Sequence, residues 1–277
     1  MKNAHKIKLA NTLEKLYCQV DFKKYIKRDP IEFLHKYKNP RDIEVVGLIA
    51  SSLAYGRIDL FKPVIENILT EMGARPYQYV MKFSPKRELH KFKKLNYRMT
   101  RGIDIACMIY AMHIICRKYG SLKQMFYSFY KKSDGDLKIA LSQMTDFFCS
   151  IDTMPVYGKT VYPRSYLFLF PSPAKGSPCK RLNLFLRWMI RNGDGVDFGI
   201  WNKIPPSKLI IPLDIHISRA ANYLSLSKRK NPSWKMAKEI TETLKLIDPA
   251  DPVRFDFSLC HLTMSGKLPA ISAQVKV

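Results

Sequence analysis

Apolar residues recur at three- and four-residue steps along almost the whole chain, a period that points to helices and leaves little room for strands. Leu9, Leu13, Leu16, Tyr17 and Val20 mark an opening helix over about 5–26. Asn39-Pro40 is a cap followed by a proline that the first helical position tolerates, and Ile43, Val46, Ile49, Ala50 and Leu53 continue it as one stripe. The same logic predicts helices over about 57–72, ending at Gly73, and 103–119, ending at Gly120, with Ser121 capping the next. Ser133 is read as the start of a helix running to Phe148. The stretch 152–175 holds Pro155, Pro163, Pro171 and Pro173 and reads as a crossing segment, in which only 166–170 passes for a strand. Further helices are expected over 178–191, from near Asp214, and after Asn231-Pro232 and Asp251-Pro252. About ten helices and no convincing strand pair give an all-α class. The expected division is a helical lobe over 1–150 and a second over 151–277. The alternative is one integrated domain, with the N-terminal helix returning to the second lobe.

The 277 residues are 47% hydrophobic and 25% charged, enough to build a core and far from the composition of disorder. The abnormal number is the charge: 47 Lys and Arg against 23 Asp and Glu leave +24, with a pI near 9.8. Such an excess is relieved by a polyanion, nucleic acid first and anionic membrane second; a merely solvated basic surface is the bland alternative. The six cysteines never fall in a CxxC pair, which argues against zinc, an iron–sulfur cluster and a disulfide framework and fits a cytoplasmic chain. No apolar stretch is long enough to imply secretion or membrane insertion.

Two stretches carry chemistry. In GSPCKRLNLFLRWMIR (176–191), Ser177 is the expected N-cap and Pro178 the first helical residue, with Leu182, Phe185, Leu186 and Met189 facing inward. Lys180 then sits in the first turn, the wrong end of a helix for a cation, with Lys175, Arg181 and Arg187 adding like charge; this is how a nucleophilic amine is made. A solvated or phosphate-contacting lysine is the plainer reading. In LIIPLDIHISRAANYLSL (209–226), an apolar run delivers the chain through Pro212 to Asp214 at the start of a helix, where backbone N–H groups hold a carboxylate. An ordinary N-cap explains it equally. His216 has no second ligand at metal spacing, so no metal is expected.

Taken together, these stretches resemble the helix-hairpin-helix DNA glycosylase superfamily over about residues 155–265. Gly176 and Lys180 match the hairpin glycine and the lysine that attacks the sugar C1′. Asp214, His216 and Arg219 match its V-D-x-H-x-x-R pattern. The hairpin is atypical, with one glycine where the pattern has two, which is nearest to the archaeal 8-oxoguanine glycosylase type. More closely still, RDIEVVGLIASSLAYGR, KRLNLFLRWMIRNGDGVDFGIW and IIPLDIHISRAANYLSLSKR look like a bacterial family of unknown function, the DUF2400 domain, over most of the chain.

The resemblance implies a base-excision N-glycosylase, with β-lyase activity as a further step, acting on a flipped damaged base such as an oxidised purine. The implied partner is double-stranded DNA containing a damaged base, with no cofactor, no metal and no membrane, and a monomer favoured. The alternative is a non-catalytic nucleic-acid-binding protein on the same scaffold. Lys180 and Asp214 are the catalytic candidates. Trp201, Phe198, Tyr157 and His216 are candidates for contacting the flipped base, with Tyr162 also in loop-like sequence; Trp188 reads as packing. Lys175, Gly176, Ser177, Arg181, Arg187, Arg219, Lys228 and Arg229 are candidates for gripping the backbone.

Overall fold

In the computed structural model, which describes residues 3–267, helices build the protein, and the regular strands among the described residues are one antiparallel pair of two residues each. The all-α class holds. The chain divides into two compact units, one made of residues up to 28 and from 176 onward, the other of residues 29–175. The division therefore falls at 175/176, and the N-terminal segment groups with the C-terminal one.

The opening helix is two: α1 (Asn3–Cys18) and α2 (Phe22–Ile26), because Asp21 accepts from the Lys24 N–H at 3.1 Å and starts a new helix. The unit 29–175 follows with a 3-10 turn at Pro30–Lys36, then α3 (Pro40–Leu53), α4 (Ile58–Met72), α5 (Pro76–Lys82) and α6 (Pro85–Phe92). The strand pair β1 (Asn96–Tyr97) and β2 (Thr100–Arg101) leads into α7 (Gly102–Tyr119). Next come α8 (Leu122–Lys132), α9 (Leu137–Phe148), α10 (Met154–Tyr157) and α11 (Arg164–Leu167). α7 is the core helix: α5, α6, α8, α10 and α11 pack on it, and Ile105, Met108, Ile109, Met112 and Ile115 are fully buried.

Two expectations fail here for local reasons. Ser133 is the C-terminal cap of α8, and Asp136, whose side chain accepts from the Ile139 N–H at 2.9 Å, starts α9 instead. The segment 166–170, which alone in this stretch could pass for a strand, lies partly in α11 and then in turn, its backbone closed by the Phe168 N–H on the Arg164 carbonyl at 2.8 Å and the Leu169 N–H on the Tyr166 carbonyl at 3.0 Å.

The other unit contains α1, α2, α12 (Lys180–Ile190), α13 (Ile215–Tyr223), α14 (Trp234–Lys245) and α15 (Asp256–Met264). α13 and α1 both pack on α15. Tyr17 meets Phe255 edge-on at 6.1 Å, Tyr25 lies over His261 at 4.7 Å, and Glu14 pairs with Arg254. Every residue of α12 from Arg181 to Ile190 is buried, so this helix is the centre of its unit rather than a surface helix with one inward stripe. Asn231-Pro232 and Asp251-Pro252 precede their helices without capping them: Ser233 accepts from the Met236 N–H at 3.2 Å to start α14, and α15 begins only at Asp256. A proline sets its own φ, but at α14 the cap goes to the side chain that reaches a free N–H, and α15 starts with no side-chain cap. No helix among the described residues is long and apolar enough to cross a membrane.

Candidate active site at Lys180 and Asp214

Leu209, Ile211 and Leu213 are buried, and the Ile211 N–H donates to Thr241 Oγ1 at 3.1 Å, tying this run to α14. The run ends at Asp214, the N-cap of α13. Its Oδ1 accepts from the N–H groups of His216 and Ile217, both at 2.9 Å. Two orphan donors of the helix end are thus satisfied by one oxygen. The other oxygen, Oδ2, stands 3.8 Å from Lys180 Nζ.

Lys180 is the first residue of α12, preceded by a tight turn. Gly176 has φ +80, and its carbonyl accepts from the Trp234 N–H at 3.0 Å, which pins the turn to α14. Ser177 does not cap α12. Its Oγ accepts from the Cys179 N–H at 3.2 Å, and Cys179 itself holds the cap position in the left-handed region at φ 48, a conformation that costs a non-glycine residue about 1–2 kcal/mol. The amine and the carboxylate therefore come from two helix amino ends that converge. Their side chains keep 28% and 21% of their exposure, enough for a ligand to reach both.

Beneath this pair lies a buried charge network that the sequence reading missed. Arg187 pairs with Asp197 at 3.2 Å and with Asp256; Arg191 pairs with Asp194 at 2.6 Å, Asp197 at 2.9 Å and Asp251 at 2.7 Å. Burial pushes the Asp256 carboxyl up to about 6 against the pull of Arg187, and the charges of Asp214 and Lys180 both reach it with opposite effect. Burial also raises Asp194, but Arg191 more than offsets it and holds that carboxyl below its usual range. The network clasps the loop 192–199 to α12, helped by the Phe198 N–H on the Trp188 carbonyl at 2.9 Å and the Trp201 N–H on the Met189 carbonyl at 2.7 Å. Gly199, at φ +58, sits so close to Asn192 that a Cβ there would lie 2.6 Å from its Cβ.

These contacts reassign several expected site residues. Arg187 is 2% exposed with two carboxylate partners, so its guanidinium is structural and cannot grip a backbone; Arg181 is buried too. Trp201 is fully buried against Phe185, rings edge to face at 5.3 Å, and is core rather than a stacking platform; Trp188 is core as expected. Tyr157 belongs to the unit 29–175, where it donates to Asp104 Oδ1 at 2.7 Å, and burial with that carboxylate raises its hydroxyl. Tyr162 in the same unit donates to the Ile151 carbonyl at 2.9 Å.

Phe198 and His216 are half-buried, and His216 Nδ1 lies buried with no hydrogen-bond partner. Gly176, Arg219, Lys228 and Arg229 are exposed on the unit that holds Lys180, with Arg229 paired to Glu239 at 2.8 Å; Lys175 is exposed on the other unit. Beside Asp214, Ile215 leaves 57% of its surface in solvent. That is unusual for a residue inside an apolar run, and periodicity counted from Asp214 as a cap would have placed it outside the α13 stripe. No group of three or more His, Cys, Asp or Glu side chains among the described residues is placed to hold a metal ion.

Residues 29–265 match the family described as "Protein of unknown function (DUF2400)". The chain belongs to the DUF2400 family. No curated protein and no solved structure matches it. The DUF2400 match takes in Lys180, Asp214 and the whole Arg187–Arg191 charge network, and it stops short of α1 and α2.

Proposed function

We propose that this DUF2400 chain is a DNA N-glycosylase with an attendant lyase step, using Lys180 as nucleophile and Asp214 as the fixed carboxylate. The observation that carries the reading is the 3.8 Å pair at two helix amino ends, with Asp214 locked by two N–H bonds and both side chains partly exposed. The net charge of +24 supports a polyanionic substrate, and exposed Ile215 offers an apolar contact beside the pair for an everted nucleoside.

The chemistry follows from that geometry. Asp214 takes a proton from the Lys180 ammonium, freeing the nitrogen lone pair. The amine bonds to the sugar C1′ as the bond from C1′ to the base nitrogen breaks; the base leaves with that electron pair and takes a proton from solvent. Asp214 passes the proton on to solvent, so that its carboxylate, whose position is fixed before the reaction starts, is charged again as positive charge develops on the sugar. Loss of a second proton from the nitrogen lets its lone pair form the C=N bond as the C1′–O4′ bond breaks; O4′ takes that proton as a hydroxyl, and a protonated imine remains. Abstraction of a C2′ proton then expels the 3′ phosphate and cuts the strand.

Borohydride reduces such an imine to a stable protein–DNA adduct, so trapping on duplex carrying an oxidised purine is the direct test. The wild type forms the adduct, Lys180→Gln loses it, and Asp214→Asn forms it about 10²-fold more slowly or worse. Base release that survives Lys180→Gln would replace the lysine with a water activated by Asp214. Tight, salt-sensitive binding without base release from any damaged duplex would leave a non-catalytic nucleic-acid binder.

A further inference from the structure

The unit 29–175 has its own cavity, remote in sequence from Lys180 and Asp214. It is an open concavity of about 600 Å³ between the end of α4 and helices α5 and α6. Met72, Ala74 and Phe83 supply apolar lining, and the lining includes four cations, Arg75, Lys82, Arg87 and Lys91, against one acid, Glu88. The imbalance extends to the whole segment. Between positions 75 and 94 there are seven lysines and arginines and one carboxylate, far steeper than the two-to-one ratio of the full chain.

Glu88 does not neutralise this lining. It accepts from the Tyr79 hydroxyl at 2.8 Å and pairs with Lys91 at 2.7 Å, and Lys91 holds its carboxyl below the usual range. Its charge is spent on its neighbour. Arg75, Lys82 and Arg87 make no salt bridge among the described residues and all three are exposed; the Arg87 charge also acts on Glu88, and its guanidinium donates to the Lys82 carbonyl at 3.2 Å. Positive charge thus accumulates around one concave surface, which concentrates the field and raises the local concentration of anions.

We propose that this cavity binds a phosphodiester backbone, as a contact site separate from the Lys180–Asp214 pair. The spacing argues for a chain of phosphates over a single anion. Arg75 and Lys82 bracket α5 and so stand about 10 Å apart along its axis, further than one phosphate can bridge. The exposed heads of Arg75, Lys82 and Arg87 suit sequence-independent contacts that release counterions, while a small-anion site would need buried, pre-positioned donors.

The site needs no base excision, so the test uses undamaged 20-mers, one arm duplex and one single-stranded, with Lys180→Gln protein. Replacing Arg75, Lys82 and Arg87 together by Gln should reduce the slope of log K against log salt by about 2.7 on duplex, and weaken binding about 10²–10³-fold at 0.1 M salt. Removing the same charge elsewhere on this unit, as Lys131→Gln, Lys132→Gln and Lys138→Gln, should change the slope by less than one; these three side chains are exposed on α8 and α9. Thermal melts of both triple variants verify folding. An equal loss in the two variants reduces the effect to diffuse charge and overturns the proposal, as does an unchanged slope in the first. Displacement of the oligonucleotide by millimolar inorganic triphosphate would overturn it too, by making this a small-anion site. The two arms tell duplex from single strand as the source of the backbone. None of these outcomes depends on whether a damaged base is ever released.

Discussion

Asp214 does two jobs with two oxygens, and the jobs can be separated. Oδ1 caps α13, and Oδ2 faces Lys180. Asparagine caps helices as well as aspartate does, whereas alanine offers no acceptor. Asp214→Asn should therefore keep the stability of the wild type within a few tenths of a kcal/mol while slowing adduct formation about 10²-fold or more, and Asp214→Ala should lose about 1 kcal/mol besides. Urea denaturation of the two variants next to the trapping assay measures both effects, and equal destabilisation by Asn and Ala would refute the division. This residue was legible in the sequence, because an apolar run ending in Pro212 and followed by an amphipathic stripe leaves one natural cap position. Lys180 was legible to a turn's precision for the same reason, although the cap fell to Cys179. Arg187 was not. A cation in a sequence reads as surface by default, and its partners Asp197 and Asp256 are identified only by the fold that brings α15 beneath α12.

At the scale of the element, α12 is buried from Arg181 to Ile190, and Arg187 within it and Arg191 at its C-cap are matched by carboxylates from the loop 192–199 and from the start of α15. Buried pairs of this kind add little net stability, yet removing one member costs about 3–5 kcal/mol because the remaining charge is left without compensation. Asp256 also makes the clasp sensitive to pH. A carboxyl raised to about 6 in the fold binds protons more tightly than in the unfolded chain. Its stabilising share is complete below about pH 4 and is lost as pH climbs through about 6. Asp256→Asn removes that dependence, so the gap in Tm between wild type and variant should narrow between pH 4 and pH 7. Calorimetry at the two pH values reads this directly, and a gap that widens would mean that Arg187 dominates over burial. Helix existence was readable from periodicity along most of the chain. Helix starts were less so, since Ser133 and Asn231 each had a competing cap within a few residues and α15 starts after Phe255 with no side-chain cap at all.

For the molecule as a whole, the excess of charge and the helical class were visible in composition and period, while the grouping of α1 and α2 with the last four helices was a matter of contacts between residues 240 positions apart, such as Glu14 and Arg254. Leu9, Leu13 and Leu16 of α1 are buried, at about 1.5–3 kcal/mol for each side chain, a large part of the 5–15 kcal/mol that holds a typical protein together. A chain that starts at Asp29 should therefore lose the cooperative unfolding of the unit carrying Lys180, while the unit 29–175 keeps its own transition. Two-probe denaturation, with one probe in each unit, distinguishes this from a uniform loss.

That arrangement has a consequence for synthesis. Helices α1 and α2 leave the ribosome before the helices that complete their core, and between the two stretches a compact body of 29–175 can fold on its own. The opening helix is thus born early and seated late, exposed to chaperones and proteases for as long as the intervening stretch takes to appear.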